Sequence, residues 1–123
     1  MAHILVVDDD KEMRELLEIL LTDEGYEVEI AASPSSALEL VKTRQPDLIF
    51  LDLRMQGHTG ENFVHQYRAL PDARAALVLL SAAGDLERVA CRLDVDNYLS
   101  KPFDLDDLLA IVTEALAELD QSA

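Results

Sequence analysis

His3-Ile4-Leu5-Val6-Val7-Asp8-Asp9-Asp10 (residues 3–10) joins a short apolar run, rich in β-branched side chains, to three consecutive aspartates. Such a run reads as a strand that the acids bring to a stop. From residue 10 to 24 the period changes: Met13, Leu16, Leu17, Leu20 and Leu21 recur at helical spacing, and Gly25 ends the segment. A helix with a glycine stop, its stripe mostly core, therefore follows the strand.

Similar units continue outward from there. Tyr26 to Ile30 alternates with glutamates, as a strand near a sheet edge would, and Ser33-Pro34 supplies an N-cap and first residue for a helix ending near Arg44. Leu48-Ile49-Phe50-Leu51 is apolar at every position, the composition of a parallel strand buried on both faces. A polar loop through Gly57 and Gly60 precedes a helix carrying Phe63, Val64 and Tyr67, ahead of Pro71. Ala75 to Leu80 is a fourth strand ending at Ser81. Asp85 is placed to cap a helix with Val89 and Leu93, Val95 to Leu99 is a fifth strand, and Asp104 caps a last helix with Leu105, Leu108, Leu109, Val112 and Leu116. Alternation of this kind predicts an α/β fold: a doubly wound, five-stranded parallel sheet with five helices on its two faces. Ligands in that architecture bind outside the carboxyl ends of the strands.

The chain has 123 residues, half of them hydrophobic, with 25 acidic against 10 basic side chains and a formal charge of −15. That is one domain, residues 1–123, long enough to bury a core without disulfide or metal staples. A single cysteine, no signal-like start and no apolar run approaching the ~18 residues of a bilayer span predict a reducing, cytoplasmic setting and no membrane insertion. So acidic a surface repels polyanions, which argues against direct binding to nucleic acid or an anionic membrane and leaves cations and basic or amphipathic protein surfaces as partners.

The predicted carboxyl edge collects chemistry. The first strand delivers Asp8, Asp9 and Asp10, the third Asp52, the fourth Ser81, and the fifth Lys101 followed by Pro102. Two unit charges ~4 Å apart repel by roughly 4 kcal/mol at an effective dielectric near 20, so ionised aspartates sharing a pocket need a cation or protons. Oxygen donors without His or Cys suit a hard ion, Mg²⁺ with Mn²⁺ as a substitute. One of the first aspartates has a plainer role open to it, since Asp9 with Glu12 fits a capping box and Asp10 is also placed to cap. A carboxylate beside Mg²⁺ and a lysine stays ionised and can act as a nucleophile; Asp52, alone after the most apolar strand, is the candidate. The acyl phosphate it would form needs its oxygens neutralised by the metal and Lys101 and a hydrogen bond from Ser81.

The segments ILVVDDD (4–10), LIFLDLRMQG (48–57), LVLLSA (77–82) and NYLSKPF (97–103) resemble, in order and spacing, the receiver domains of two-component response regulators, over Ile4 to Leu119. The resemblance implies a flavodoxin-like strand order of 2-1-3-4-5 and transfer of a phosphoryl group to Asp52 from a phosphohistidine of a histidine kinase or phosphotransfer protein. It implies Mg²⁺ held by Asp8, Asp9, Asp52 and the backbone carbonyl of Arg54. Ser81 and Tyr98 would form a switch pair that alters the face of the fourth helix, fifth strand and fifth helix toward a downstream protein effector. Lys101 would contact the phosphoryl oxygens, Lys101-Pro102 would be cis, and Arg54 and Ala83 would tune hydrolysis. Exposed residues of the first helix, including Arg14, together with Phe103, would meet the kinase. Such a domain is not a conventional turnover enzyme: it promotes its own phosphorylation and dephosphorylation.

The sequence departs from that family in places. Met55-Gln56 stands for the frequent Met-Pro, Thr59-Gly60 for the usual Asp-Gly, and Asp94 for a glycine ending the fourth helix, while the segment from Ser81 to Tyr98 is about two residues short, which predicts a short or shifted fourth helix. Ile111 occupies the place of an arginine used for dimer pairing by members with winged-helix partners, which speaks against that dimer and leaves at most a weak homodimer. Cys91 reads as a buried or half-buried inert thiol. His3, His58 and His65 are dispersed without metal spacing. Of other functions, a haloacid-dehalogenase-type phosphatase expects Asp-x-Asp after the first strand with the nucleophile there. A flavodoxin-like redox module expects a phosphate loop where the aspartates stand. A degenerate, phosphate-independent receiver acting as an interaction module is the nearer rival.

Overall fold

In the computed structural model, which describes residues 2–55, 58–82, 84 and 86–121, the elements alternate as the apolar periodicity requires. They are β1 (His3–Val7), α1 (Lys11–Asp23), β2 (Glu27–Ala31), α2 (Pro34–Thr43), β3 (Leu48–Asp52), β4 (Arg54–Met55), β5 (His58–Thr59), α3 (Gly60–Arg68), β6 (Ala76–Ser81), α4 (Leu86–Arg92), β7 (Asn97–Ser100) and α5 (Leu105–Gln121). The main sheet is parallel and runs β2-β1-β3-β6-β7. Counting sheet strands alone, this is the order 2-1-3-4-5.

Neighbouring side chains of one strand point to opposite faces, and here each face has its own core. Leu5, Val7, Ile49, Leu51, Leu77 and Leu79 pack with Ala37, Val41, Phe63, Val64, Tyr67, Leu86 and Ala90 from α2, α3 and α4. Ile4, Val6, Leu48, Phe50, Val78 and Leu80 pack with Leu17 and Leu21 of α1 and with Leu108, Val112 and Ala115 of α5. A strand covered on both faces has no position for a polar residue until it leaves the sheet, which is why the polar residues gather at the strand ends.

The caps explain the boundaries. Asp10 accepts from the amides of Glu12 (3.0 Å) and Met13 (3.5 Å), so Asp10, not Asp9, is the N-cap of α1. Ser33 caps α2 ahead of Pro34, and Asp104 accepts from the amide of Asp107 at 2.8 Å. At the end of α1, Gly25 (φ 97°) donates to Thr22 and Tyr26 to Leu21. Asp94 (φ 57°) repeats the same closure after α4, donating to Cys91 while Val95 donates to Ala90. Arg68 reinforces it by donating to the carbonyls of Leu93 and Asp94.

Several expectations are corrected. The fifth strand begins at Asn97 rather than Val95, because Val95 closes the end of α4 and is buried among the core residues on that face. The loop after β3 carries the antiparallel pair β4–β5, which joins Arg54 to Thr59 and Met55 to His58. Leu16 (45% exposed) lies on the outer side of α1 beside Ile19 (65%), so the α1 stripe is narrower than its spacing suggested. Cys91 is exposed, not buried, because Ala90 takes the inward position. The fourth helix is short, at seven residues. Asp85, the expected cap of that helix, and Gln56 lie outside the described residues.

Candidate functional site

Parallel strands share a direction, so the last residues of β1, β3, β6 and β7 reach one edge of the sheet; register pairs Val7 with Leu51, Asp52 with Leu80 and Ser81 with Ser100. Asp8 (0% exposed) and Asp52 (6%) are the buried carboxylates there. Each is held in the same way. Asp8 Oδ1 accepts from the amide of Asp10 at 2.9 Å, and Asp52 Oδ1 accepts from the amide of Arg54 at 3.0 Å. These turns, closed by a side chain on the backbone two residues ahead, leave the other oxygen of each free to face across the pocket. Lys101, delivered by β7 and the cis bond to Pro102, places its Nζ between them, 2.9 Å from Asp8 Oδ2 and 3.2 Å from Asp52 Oδ2.

Asp9 completes the acidic set: one oxygen each from Asp8, Asp9 and Asp52 lie within 4.8 Å of one another. Oxygens on octahedral Mg²⁺ at about 2.1 Å stand about 3.0 Å apart when adjacent and about 4.2 Å apart when opposite, so this donor set suits a small hard cation once the carboxylates close inward on it. Electrostatics favour one as well. Burial pushes the Asp52 carboxyl above its ordinary range, as does the Asp8 charge, and neither the Arg54 amide nor Lys101 offsets this fully. Lys101 loses from burial but gains more from its contacts with Asp8 and Asp52, and ends above its ordinary value. The lysine beside Asp52 is legible in the sequence and by itself favours an ionised carboxylate; the burial that acts against it is not.

The remaining predicted residues divide. Ser81 is buried at the end of β6, beside β3. Arg54 lends its amide to Asp52 while its side chain is exposed. Tyr98 is 36% exposed on the edge strand and is not drawn into the pocket. Phe103 is half-buried against the core beneath α1 and α5. Ala83 lies outside the described residues.

Two contributors were not legible beforehand. Arg14 of α1, expected among the exposed residues of that helix, is half-buried instead, because its Nη1 donates to the backbone carbonyl of Asp8 at 2.9 Å. Gly60 opens α3 directly against the main chain of Asp52, where a Cβ would stand 2.8 Å from the Asp52 carbonyl oxygen and 2.9 Å from Leu53 Cα. Among the described residues no histidine or cysteine joins the acidic group, and no helix is long and apolar enough to cross a membrane.

A doubly wound sheet that presents buried carboxylates and a lysine at its carboxyl edge defines a class of protein, and comparison with known proteins narrows it. Residues 4–113 match the family model described as the response regulator receiver domain, and the chain belongs to that family. It is 43% identical over 111 residues to the response regulator MprA of Mycobacterium sp. (strain KMS), an alignment covering 89% of this chain and 48% of the relative. The chain thus spans about half the length of the curated relatives it matches. Among solved structures it is similar to a putative response regulator from Chloroflexus aurantiacus (32% identity, TM-score 0.86, covering 94% of this chain and 98% of that one). It is also similar to a CheY-like receiver domain protein from Methanospirillum hungatei (26% identity, TM-score 0.89, 100% and 99% covered).

Proposed function

We propose that residues 1–123 are a single phosphoacceptor receiver whose Asp52 takes a phosphoryl group from a phosphohistidine of a sensor kinase or phosphotransfer protein, in a reaction that requires Mg²⁺ or Mn²⁺. The observation that carries this reading is the Lys101 ammonium bridging Asp8 and Asp52, with Asp9 beside them.

Asp52 Oδ2 attacks phosphorus as the phosphorus–nitrogen bond breaks, and the bonding pair returns to the imidazole nitrogen. The Arg54 amide holds Oδ1, so the nucleophile has one orientation and little to reorganise. Lys101 is then placed to follow the new phosphoryl oxygens, and Ser81 to donate a hydrogen bond to them. A divalent cation on Asp8, Asp9, Asp52 and the Arg54 carbonyl would neutralise charge on the transferring group. Return to the resting carboxylate is hydrolysis, with Arg54 and Ala83 shaping the access of water. The domain is consumed and reset in each cycle and is not a turnover enzyme.

The exposed residues of α1, Leu16 and Ile19 among them, are the surface for the kinase, joined by Phe103. The switch pair Ser81 and Tyr98 alters the α4–β7–α5 face for a downstream protein effector; Tyr98 starts from an outward position, so an inward swing is open to it. The setting is cytoplasmic, nucleic acid is not contacted directly by this domain, and any homodimer is weak. The test is transfer of labelled phosphoryl from a phosphorylated histidine kinase. Label passes to the wild-type chain with Mg²⁺ and stays on the kinase when the metal is chelated; transfer that survives full chelation would refute the reading.

A further inference from the structure

Arg14 lies four residues beyond the N-cap Asp10, and its own amide donates to the Asp10 carbonyl at 3.0 Å, so its backbone is fixed by the first turn of α1. The side chain is half-buried and runs back over that turn to the carbonyl of Asp8. Asp8 is thereby held at every polar group. Its amide donates to Ala31 at 3.1 Å, its carbonyl accepts from Arg14, and its carboxylate accepts from Asp10 and Lys101. The Asp8 carbonyl belongs to the planar peptide from which Asp9 extends. Holding that oxygen restrains the plane, and with it the position of the Asp9 Cα from which the Asp9 side chain departs.

We propose that Arg14 is a positioning residue for cation binding: its guanidinium sets the Asp8–Asp9 peptide so that the two carboxylates present their oxygens to one ion. The inference rests on the reading of Asp8, Asp9 and Asp52 as a cation site and adds a residue to it that touches neither the ion nor the phosphoryl group.

Two effects of Arg14 on a cation have opposite signs, which makes the proposal sharp. Its positive charge repels a second cation, so removing charge alone tightens binding. Removing the carbonyl contact frees the peptide and weakens binding. A half-exposed guanidinium on a chain of net charge −15 acts through solvent and adds little repulsion, whereas loss of a partner that orients metal ligands costs roughly tenfold or more in affinity. Positioning therefore dominates.

The experiment titrates the full chain with Mn²⁺ and reads free ion by electron paramagnetic resonance, for wild type, Arg14→Met, which keeps the aliphatic stem, and Arg14→Gln. Circular dichroism melts establish that each variant is folded, and either folded variant suffices for the comparison. The expected result is binding roughly tenfold weaker in the variants. Equal or tighter binding in a folded variant overturns the role of Arg14 and leaves the site intact. A wild-type chain that binds no Mn²⁺ removes the site itself, and the inference with it.

Discussion

Lys101→Met tests the energetics of the pocket most severely. The ammonium lies 2.9 Å from Asp8 Oδ2 and 3.2 Å from Asp52 Oδ2. At an effective dielectric near 20 these separations correspond to attractions of about 6 and about 5 kcal/mol, set against a desolvation cost of several kcal/mol for each buried ion. The net worth of the arrangement is small, but removing its cation leaves two carboxylates facing each other without compensation, and breaking a buried pair in this way costs about 3–5 kcal/mol. The loss depends on conditions, because a divalent ion can replace the missing charge. A ligand that binds only the folded chain stabilises it by about 1.4 kcal/mol for each tenfold excess over its dissociation constant. The chain has no tryptophan, so urea unfolding is followed by far-ultraviolet circular dichroism. Without metal the variant is less stable than wild type by about 3 kcal/mol or more; excess Mg²⁺ stabilises both, but the variant, freed of the competing ammonium, binds the ion more tightly, and each tenfold of tighter binding narrows the gap by about 1.4 kcal/mol. A variant as stable as wild type without metal, or a gap indifferent to Mg²⁺, would mean that Lys101 does not compensate the two carboxylates.

Other outcomes follow from single contacts. Asp52 holds its proton to higher pH in the folded than in the unfolded chain, so wild-type stability falls as pH rises from the ordinary carboxylate range through the raised value. Metal-free Asp52→Asn loses that slope and melts higher than wild type at neutral pH, with the difference gone in acid; thermal melts across pH that show the reverse order contradict it. Gly60→Ala drives a Cβ into the main chain of Asp52 and Leu53. It costs about 1–3 kcal/mol, read as a lower urea midpoint, and slows phosphorylation by a small-molecule donor. Asp94→Gly relieves the left-handed backbone at φ 57° and gains about 0.5 kcal/mol after the entropy of the unfolded glycine is counted; a lower melting temperature would show that Asp94 has a compensating role.

Sheet and helix order was readable because burial on both faces leaves a strong mark: Leu48 to Leu51 and Leu77 to Leu80 offer no polar position, and the aspartates, Ser81 and Lys101 fall where each run stops. Caps with a local chemical signature, Ser33-Pro34 and Asp104, were equally plain. What escaped were relations with no periodicity. Val95 looks like the start of a strand, yet its amide is claimed by α4 across the left-handed Asp94. The β4–β5 pair joins two residues to two through their backbones and is too short for an apolar alternation to announce it. Leu16 and Cys91 fit an amphipathic stripe by spacing, but Leu17, Leu21 and Ala90 already fill the inward positions. In the pocket, the carboxylates and lysine are named by residue type, whereas the grip of Arg14 on a carbonyl and the approach of Gly60 to Asp52 involve main-chain atoms that every residue carries.

The central claim is that Asp52 is the carboxylate that takes phosphorus, aided by a divalent ion. Intact mass after incubation with acetyl phosphate, with and without Mg²⁺, tests it in wild type and Asp52→Ala. The wild-type chain gains one phosphoryl group only when the metal is present, and the variant gains none; a phosphoryl group that still appears on Asp52→Ala, or none on the wild type with Mg²⁺ present, would remove Asp52 from that role.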